Sequence, residues 1–155
     1  MIIKIIGLVC AFLFFTLIGM YQSLRLKRRK DNLNTILLFL NRLSTLIRYR
    51  RSDIITLISE SADDVLVPLK NADDFKGFPK IISELPLQKE EKDLLTKFFL
   101  QLGTMDLEGE LSSISLYTGF FDELYEKSKS DLENKSKLYR VLGVFAGLAF
   151  VVMFI

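Results

Sequence analysis

Charged residues are absent from Ile5 to Leu24 and again from Val141 to Ile155, and every acidic residue lies between those two runs. A bilayer's hydrocarbon core of roughly 30 Å takes about 20 helical residues at 1.5 Å rise. The first run has that length and contains no proline. The second reaches only about 22 Å, or about 27 Å if Leu138 and Tyr139 are drawn in with Arg140 snorkelling outward. It therefore either spans a locally thinned bilayer or packs beside a partner helix. Both runs are apolar all round, and a chain of 155 residues has too little core to bury two such helices in water.

Between the runs, hydrophobic positions recur at steps of three and four. Leu33, Ile36, Leu37, Leu40, Leu43 and Ile47 mark one face of a helix that continues out of the first run. Ser52-Asp53 offers an N-cap to a short helix through Ile54, Leu57 and Ile58 that ends near Ala62. All three prolines and Gly77 fall between Asp63 and Gln88, so only a short helix around 65–75 and a turn at 79–84 are expected there. Leu94, Leu95, Phe98, Phe99 and Leu102 predict a helix over 89–102, with Glu90 and Glu91 in its first turn and Gly103 as its stop. Asp106 then caps a final segment in which Leu111, Ile114, Tyr117, Phe121, Leu124, Ser128 and Leu132 keep helical spacing, and Gly109 and Gly119 are the places where it would bend. No strand-like alternation competes. The expected class is all-α, with about six helices in a cytoplasmic antiparallel bundle (25–140) flanked by an N-terminal membrane helix (1–24) and a C-terminal membrane segment (141–155).

The formal charge of +2 conceals an uneven distribution. Arg25, Lys27, Arg28, Arg29 and Lys30 follow the first run, and Arg42, Arg48, Arg50 and Arg51 lie beyond them against the single acid Asp31. Residues 52–134 are by contrast strongly acidic. A cleaved secretory signal needs basic residues before its apolar stretch and a small-residue cleavage site after it; the order here is reversed, which marks an uncleaved anchor. The positive-inside rule places residue 25 onward in the cytoplasm, and Lys135, Lys137 and Arg140 before the second run agree. The cluster Arg25–Lys30 is assigned to setting topology and contacting anionic lipid, with no nucleic-acid partner. Gly143 and Gly147 stand four apart, a spacing that lets a second helix backbone approach closely, while Gly7 and Gly19 lack it.

The chain contains no His, so a Ser-His-Asp triad, a Cys-His dyad and His-ligated zinc are excluded. Cys10 is the single cysteine, and no phosphate-cradling glycine loop is present. The acid pairs Asp63-Asp64, Asp73-Asp74 and Glu90-Glu91 read as solvated turns and helix-start charge rather than metal sites, since neighbours on a helix do not face one another. No catalytic, cofactor or metal residue is expected, and the protein is read as non-enzymatic. Of Phe120 and Phe121, one is expected in the core and the other on a surface. The acids Asp106, Glu108 and Glu110, taken as exposed at a helix junction, are the candidate partner-facing residues; capping and solubility are their alternative use.

The Leu102-Gly103-x-x-Asp106 turn, the acid-rich helix from Lys89 to Phe98 and the ending Tyr139-x-x-Leu142-Gly143-x-x-x-Gly147-Leu148 resemble the stage III sporulation protein AB family of endospore-forming bacteria, as, more weakly, does Tyr49 closing the first cytoplasmic helix. The resemblance covers nearly the whole chain. The family commonly has a Glu shortly before that Tyr and an x-Thr-Pro-Leu start to the next helix, both absent here, a Phe-Gly pair where this chain has Phe98-Phe99, and a Gln where it has Glu110. The resemblance implies a subunit of the channel complex joining mother cell and forespore. Its domain would look like the inner-membrane platform domains of type II secretion and type IV pilus systems. The implied partners are a secretion-type ATPase, stage III sporulation protein AA, and further membrane subunits, with no small-molecule substrate. A membrane-tethered adaptor or regulator unrelated to secretion is the other reading these residues allow.

Overall fold

The computed structural model describes residues 2–49, 53–71, 74 and 76–154. Of the first apolar run, the side chains of Ile5, Ile6, Leu8, Val9, Ala11 and Phe12 lie outside the description, as do Arg50, Arg51, Ser52 and Asp73. Among the described residues the chain is all-helical. Its elements are α1 (Ile2–Tyr49), α2 (Ile54–Ser61), a 3-10 helix (Asp64–Asn71), α3 (Phe78–Glu84), α4 (Lys89–Gln101) and α5 (Leu107–Phe154).

Local chemistry explains the punctuation. Pro68 lies inside the 3-10 helix, where the missing N–H and the ring's steric demand disfavour a longer α-helix. Pro79 sits in the first turn of α3, where no N–H is required. Asp53 precedes α2 and accepts the Leu57 N–H through its backbone oxygen at 3.1 Å, but it makes no side-chain cap, and Ser52 lies outside the described residues. At α4 the cap is reciprocal. The Gln88 N–H donates to Oε2 of Glu91 at 2.9 Å, so Glu91 is a buried cap rather than a solvated charge. Gly103 stops α4 with φ of 84°, the left-handed conformation that favours glycine. Gly109 and Gly119 leave α5 unbroken.

The chain forms two compact units, Met1–Lys30 with Glu126–Ile155, and Asp31–Tyr125. The terminal segments expected as separate domains thus share one unit, which reaches inward to Lys30 and Glu126. In the second unit the predicted faces are inside. Leu33, Ile36, Leu40 and Leu43 of α1 join Leu57 and Ile58, Leu66 and Leu69, Phe78 and Ile82, Leu95, Phe98 and Phe99, and Ile114, Tyr117 and Phe121 in one core. Phe99 is its aromatic hub, with ring centroids 4.5 Å from Phe78, 5.2 Å from Phe98 and 6.0 Å from Phe39. Fully burying one such side chain contributes about 1.5–3 kcal/mol. Phe121 is buried and Phe120 is 42% exposed, the division that adjacent positions on a helix require.

Candidate functional site

In the first unit α1 and α5 meet along a seam of small residues. Gly19 faces Gly143, and a Cβ built on Gly143 would stand 3.0 Å from the Phe15 carbonyl oxygen and 3.3 Å from the Gly19 Cα. One turn further along α1, Ser23 Oγ lies 2.5 Å from Ser136 Oγ. Phe15 packs on Phe150 at 5.7 Å between ring centroids. As the α1 number rises from 15 to 23 its partners fall from 150 to 136, so the two segments run antiparallel. Small residues let the backbones approach, and the serine pair satisfies hydroxyls that would be costly to leave unbonded in an apolar setting. Arg140 donates from Nη2 to Ser136 Oγ at 3.3 Å and from Nε to the Ser136 carbonyl at 3.4 Å. Ser128, also buried, has no hydrogen-bond partner for its hydroxyl among the described residues.

Gly143 and Gly147 were expected to offer close packing to another helix. Gly143 meets the chain's own α1 at Gly19, and Gly147 is buried. Gly19 lacks the four-residue spacing and packs closely all the same, because a crossing point needs one small residue on each helix, not two on both. Ser23 and Ser136 were missed outright. Their signal was the series Ser128, Ser136, Gly143, Gly147, which keeps small side chains on one face of α5.

The outer faces of this pair are apolar. Phe14, Leu17 and Tyr21 on α1 and Phe145, Val152 and Met153 on α5 are each more than 60% exposed. A contiguous apolar surface of this kind is unusual on a water-soluble protein. Within Leu107–Met153, α5 contains a stretch long and apolar enough to cross a membrane. Arg25, Lys27 and Arg28 are exposed at the polar end of the seam, and Arg29 and Lys30 are half-buried. Nearby, Lys135 Nζ is 2.7 Å from Asp131 Oδ1. That hydrogen bond, with the charges of Lys135 and Arg29, holds the Asp131 carboxyl below its ordinary range, and the same hydrogen bond with the Asp131 charge raises the Lys135 ammonium.

The second candidate is the turn between α4 and α5. Asp106 caps α5, its Oδ1 accepting the Gly109 N–H at 3.0 Å, and both Asp106 and Glu108 are exposed. Glu110 is not exposed, which corrects the expectation for it. It is 3% accessible, and its Oε1 accepts the N–H groups of Gly103 at 2.7 Å and Met105 at 3.1 Å. Those donors are freed where the chain leaves α4, so Glu110 holds the turn together from inside. Met105 and Leu107, which polarity alone did not single out, are about half exposed beside Asp106 and Glu108.

The remaining acid pairs serve the backbone. Asp63 Oδ1 accepts the N–H of Asp64, which stands at φ of 44°, and its Oδ2 pairs with Arg42 at 3.5 Å. Asp74 Oδ1 accepts the Gly77 N–H at 3.0 Å. Among the described residues no three His, Cys, Asp or Glu side chains converge.

The sequence model of a family described as stage III sporulation protein AB matches residues 4–72 and 76–155. No curated protein and no solved structure matches the chain.

Proposed function

This chain belongs to the stage III sporulation protein AB family, and from that premise we propose that it is a platform subunit in the mother-cell membrane around the forespore. The small-residue seam supports the reading most directly. Two helices whose side chains point apolar surface outward, while Gly19, Ser23, Ser136 and Gly143 lock them together, form a hairpin suited to lipid. The basic residues Arg25 to Lys30, with Lys137 and Arg140, set its orientation, with the amino terminus outside and residues 25–140 in the cytoplasm. The helical domain, folded as an antiparallel bundle, is the interacting part. It carries no turnover of its own and seats a separate secretion-type ATPase, stage III sporulation protein AA, beside other small membrane subunits. Asp106 and Glu108, alternating along the chain with exposed Met105 and Leu107, are the contact residues this reading favours.

Crosslinking in sporulating cells followed by affinity recovery of the full chain tests the proposal. It should return the ATPase and at least one further channel subunit, and the pair D106K/E108K should reduce that recovery. Recovery of neither partner removes the platform reading.

A further inference from the structure

We infer that the groove between α1 and α5 beside the Ser23–Ser136 contact is a binding site for the phosphate headgroup of an anionic phospholipid. The inference rests on the membrane reading above and adds a defined site to it. The groove has a volume of about 400 Å³, room for a headgroup, and carries Lys27 on one wall and Lys137 and Arg140 on the other. Glu133 is the one acid on its lining, so three cations against one anion leave an excess of positive charge facing the space.

Two of those cations are uncommitted. Neither Lys27 nor Lys137 takes part in an ion pair or hydrogen bond among the described residues. Arg140 is already held against Ser136 by two hydrogen bonds, which fixes one donor group before a ligand arrives and lowers the ordering cost of binding. Converging ammonium and guanidinium donors around hydroxyls match the acceptor oxygens of a phosphodiester.

The position selects a lipid over a free anion. Leu24, the last residue of the first uncharged run, lines the groove, and Val141, the first of the second, follows Arg140 directly. The groove therefore lies where the apolar faces of both helices begin, at the level of headgroups in a bilayer. A soluble phosphate would gain only the charges; a phospholipid gains those and rests its acyl chains on exposed Tyr21, Leu24 and Leu142.

Native mass spectrometry of the full-length chain released from nanodiscs tests the site. With mixed phosphatidylglycerol and phosphatidylcholine, the wild type should retain phosphatidylglycerol preferentially. K27Q/K137Q should lose that preference, whereas R25Q/R28Q, which removes the same charge from residues that meet anionic lipid outside the groove, should weaken it much less. Circular dichroism confirms that each variant is folded, and K137E alone should weaken retention in the same direction. Equal loss in both double variants, or loss in neither, overturns the site and leaves membrane insertion standing. Displacement of the lipid by millimolar inorganic phosphate would reassign the groove to a soluble anion and overturn the proposal. A wild-type chain that stays in the aqueous phase without detergent overturns the membrane reading and this inference together.

Discussion

Gly19 and Gly143 approach backbone to backbone: a Cβ built on Gly19 would stand 2.6 Å from the carbonyl oxygen of Tyr139 and 3.3 Å from the Cα of Gly143. A backbone oxygen on a helix cannot rotate away as a side chain can, so the helices themselves must part to admit a methyl group. G19A should destabilise the pair by about 1–3 kcal/mol, the usual cost of overpacking. G7A is the matched control, since nothing lies within 4 Å of a Cβ there. Unfolding of the full chain in detergent micelles, followed by circular dichroism, measures both. Equal midpoints would show that the seam does not form.

The Ser23–Ser136 contact gives an independent check. With hydroxyl oxygens 2.5 Å apart, sulfurs at those positions fall within reach of a disulfide after small rotations. S23C/S136C, combined with C10S to remove the natural thiol, should oxidise within one chain and shift its mobility on a non-reducing gel. Oxidation only to dimers would assign the small-residue faces to contacts between chains.

Glu110 holds the α4–α5 turn through one carboxylate oxygen and two N–H donors. E110A strands both donors beside a buried cavity and should cost about 1–3 kcal/mol. E110Q keeps an acceptor oxygen in the same place and should cost much less, which gives a physical reason why a Gln can stand here in the resembling family. Hydrogen exchange at Gly103 and Met105 reports the loss directly. Protection unchanged in E110A would mean that other groups hold the turn.

Periodicity made most of the core legible: Leu33, Ile36, Leu40 and Leu43, and likewise Leu95, Phe98 and Phe99, lie where a 3.6-residue repeat puts them. Periodicity shows which face of a helix is buried, not which helix covers it. Gly19 therefore carried no message until Gly143 stood opposite. The burial of Glu110 is hidden in the sequence for a related reason. Its polarity suggested solvent, and the donors that bury it appear only once Gly103 adopts φ of 84° and releases the end of α4. The acids that do stay outside, Asp106 and Glu108, differ from Glu110 by their place in the turn and not by composition.

Tyr117 donates its hydroxyl to Gln101 Oε1 at 3.2 Å and packs edge-on against Phe98. Burial disfavours the phenolate and pushes the group above its ordinary 10.0. Because the folded value is raised, its contribution to stability is complete below pH 10.0 and is lost as pH rises through the folded value. The difference in phenolate absorbance between wild type and Y117F across an alkaline titration isolates this tyrosine. Titration at or below the ordinary value would contradict its burial. Y117F itself should cost about 0.5–1.5 kcal/mol for the lost hydrogen bond.

The Asp131–Lys135 pair should leave a titration signature rather than a large stability effect, because exposed ion pairs are screened by solvent. The Asp131 carboxyl is held below 3.8 chiefly by the hydrogen bond from Lys135, so its contribution is present above that pH and lost as pH falls through the lowered value. The Lys135 ammonium is raised above 10.5, so its part is present below that pH and lost as pH rises. Carboxyl-carbon NMR should find Asp131 moving up toward its ordinary value in K135Q. An unmoved titration would show that the pair does not persist in solution.

Phe99 joins rings from three helices, stacking on Phe78 of α3 at an interplanar angle of 25° while Phe39 of α1 and Phe98 of α4 close around it. It is 1% accessible, so a smaller residue leaves a void that the flanking helices can fill only by shifting. F99A should cost about 3–5 kcal/mol, the range for deleting a buried aromatic ring. F99G should cost about 1 kcal/mol more, because glycine also weakens the middle of a helix. The second figure has a particular point here, since the resembling family commonly carries glycine at this place. This chain fills the space with a ring against which Phe39 and Phe78 pack. L100A, one position along on the exposed face of α4, should stay within about 0.5 kcal/mol of wild type. Equilibrium unfolding of the three variants in the same micelles ranks them. A ranking in which L100A matches F99A would mean that α4 presents its other face to the core.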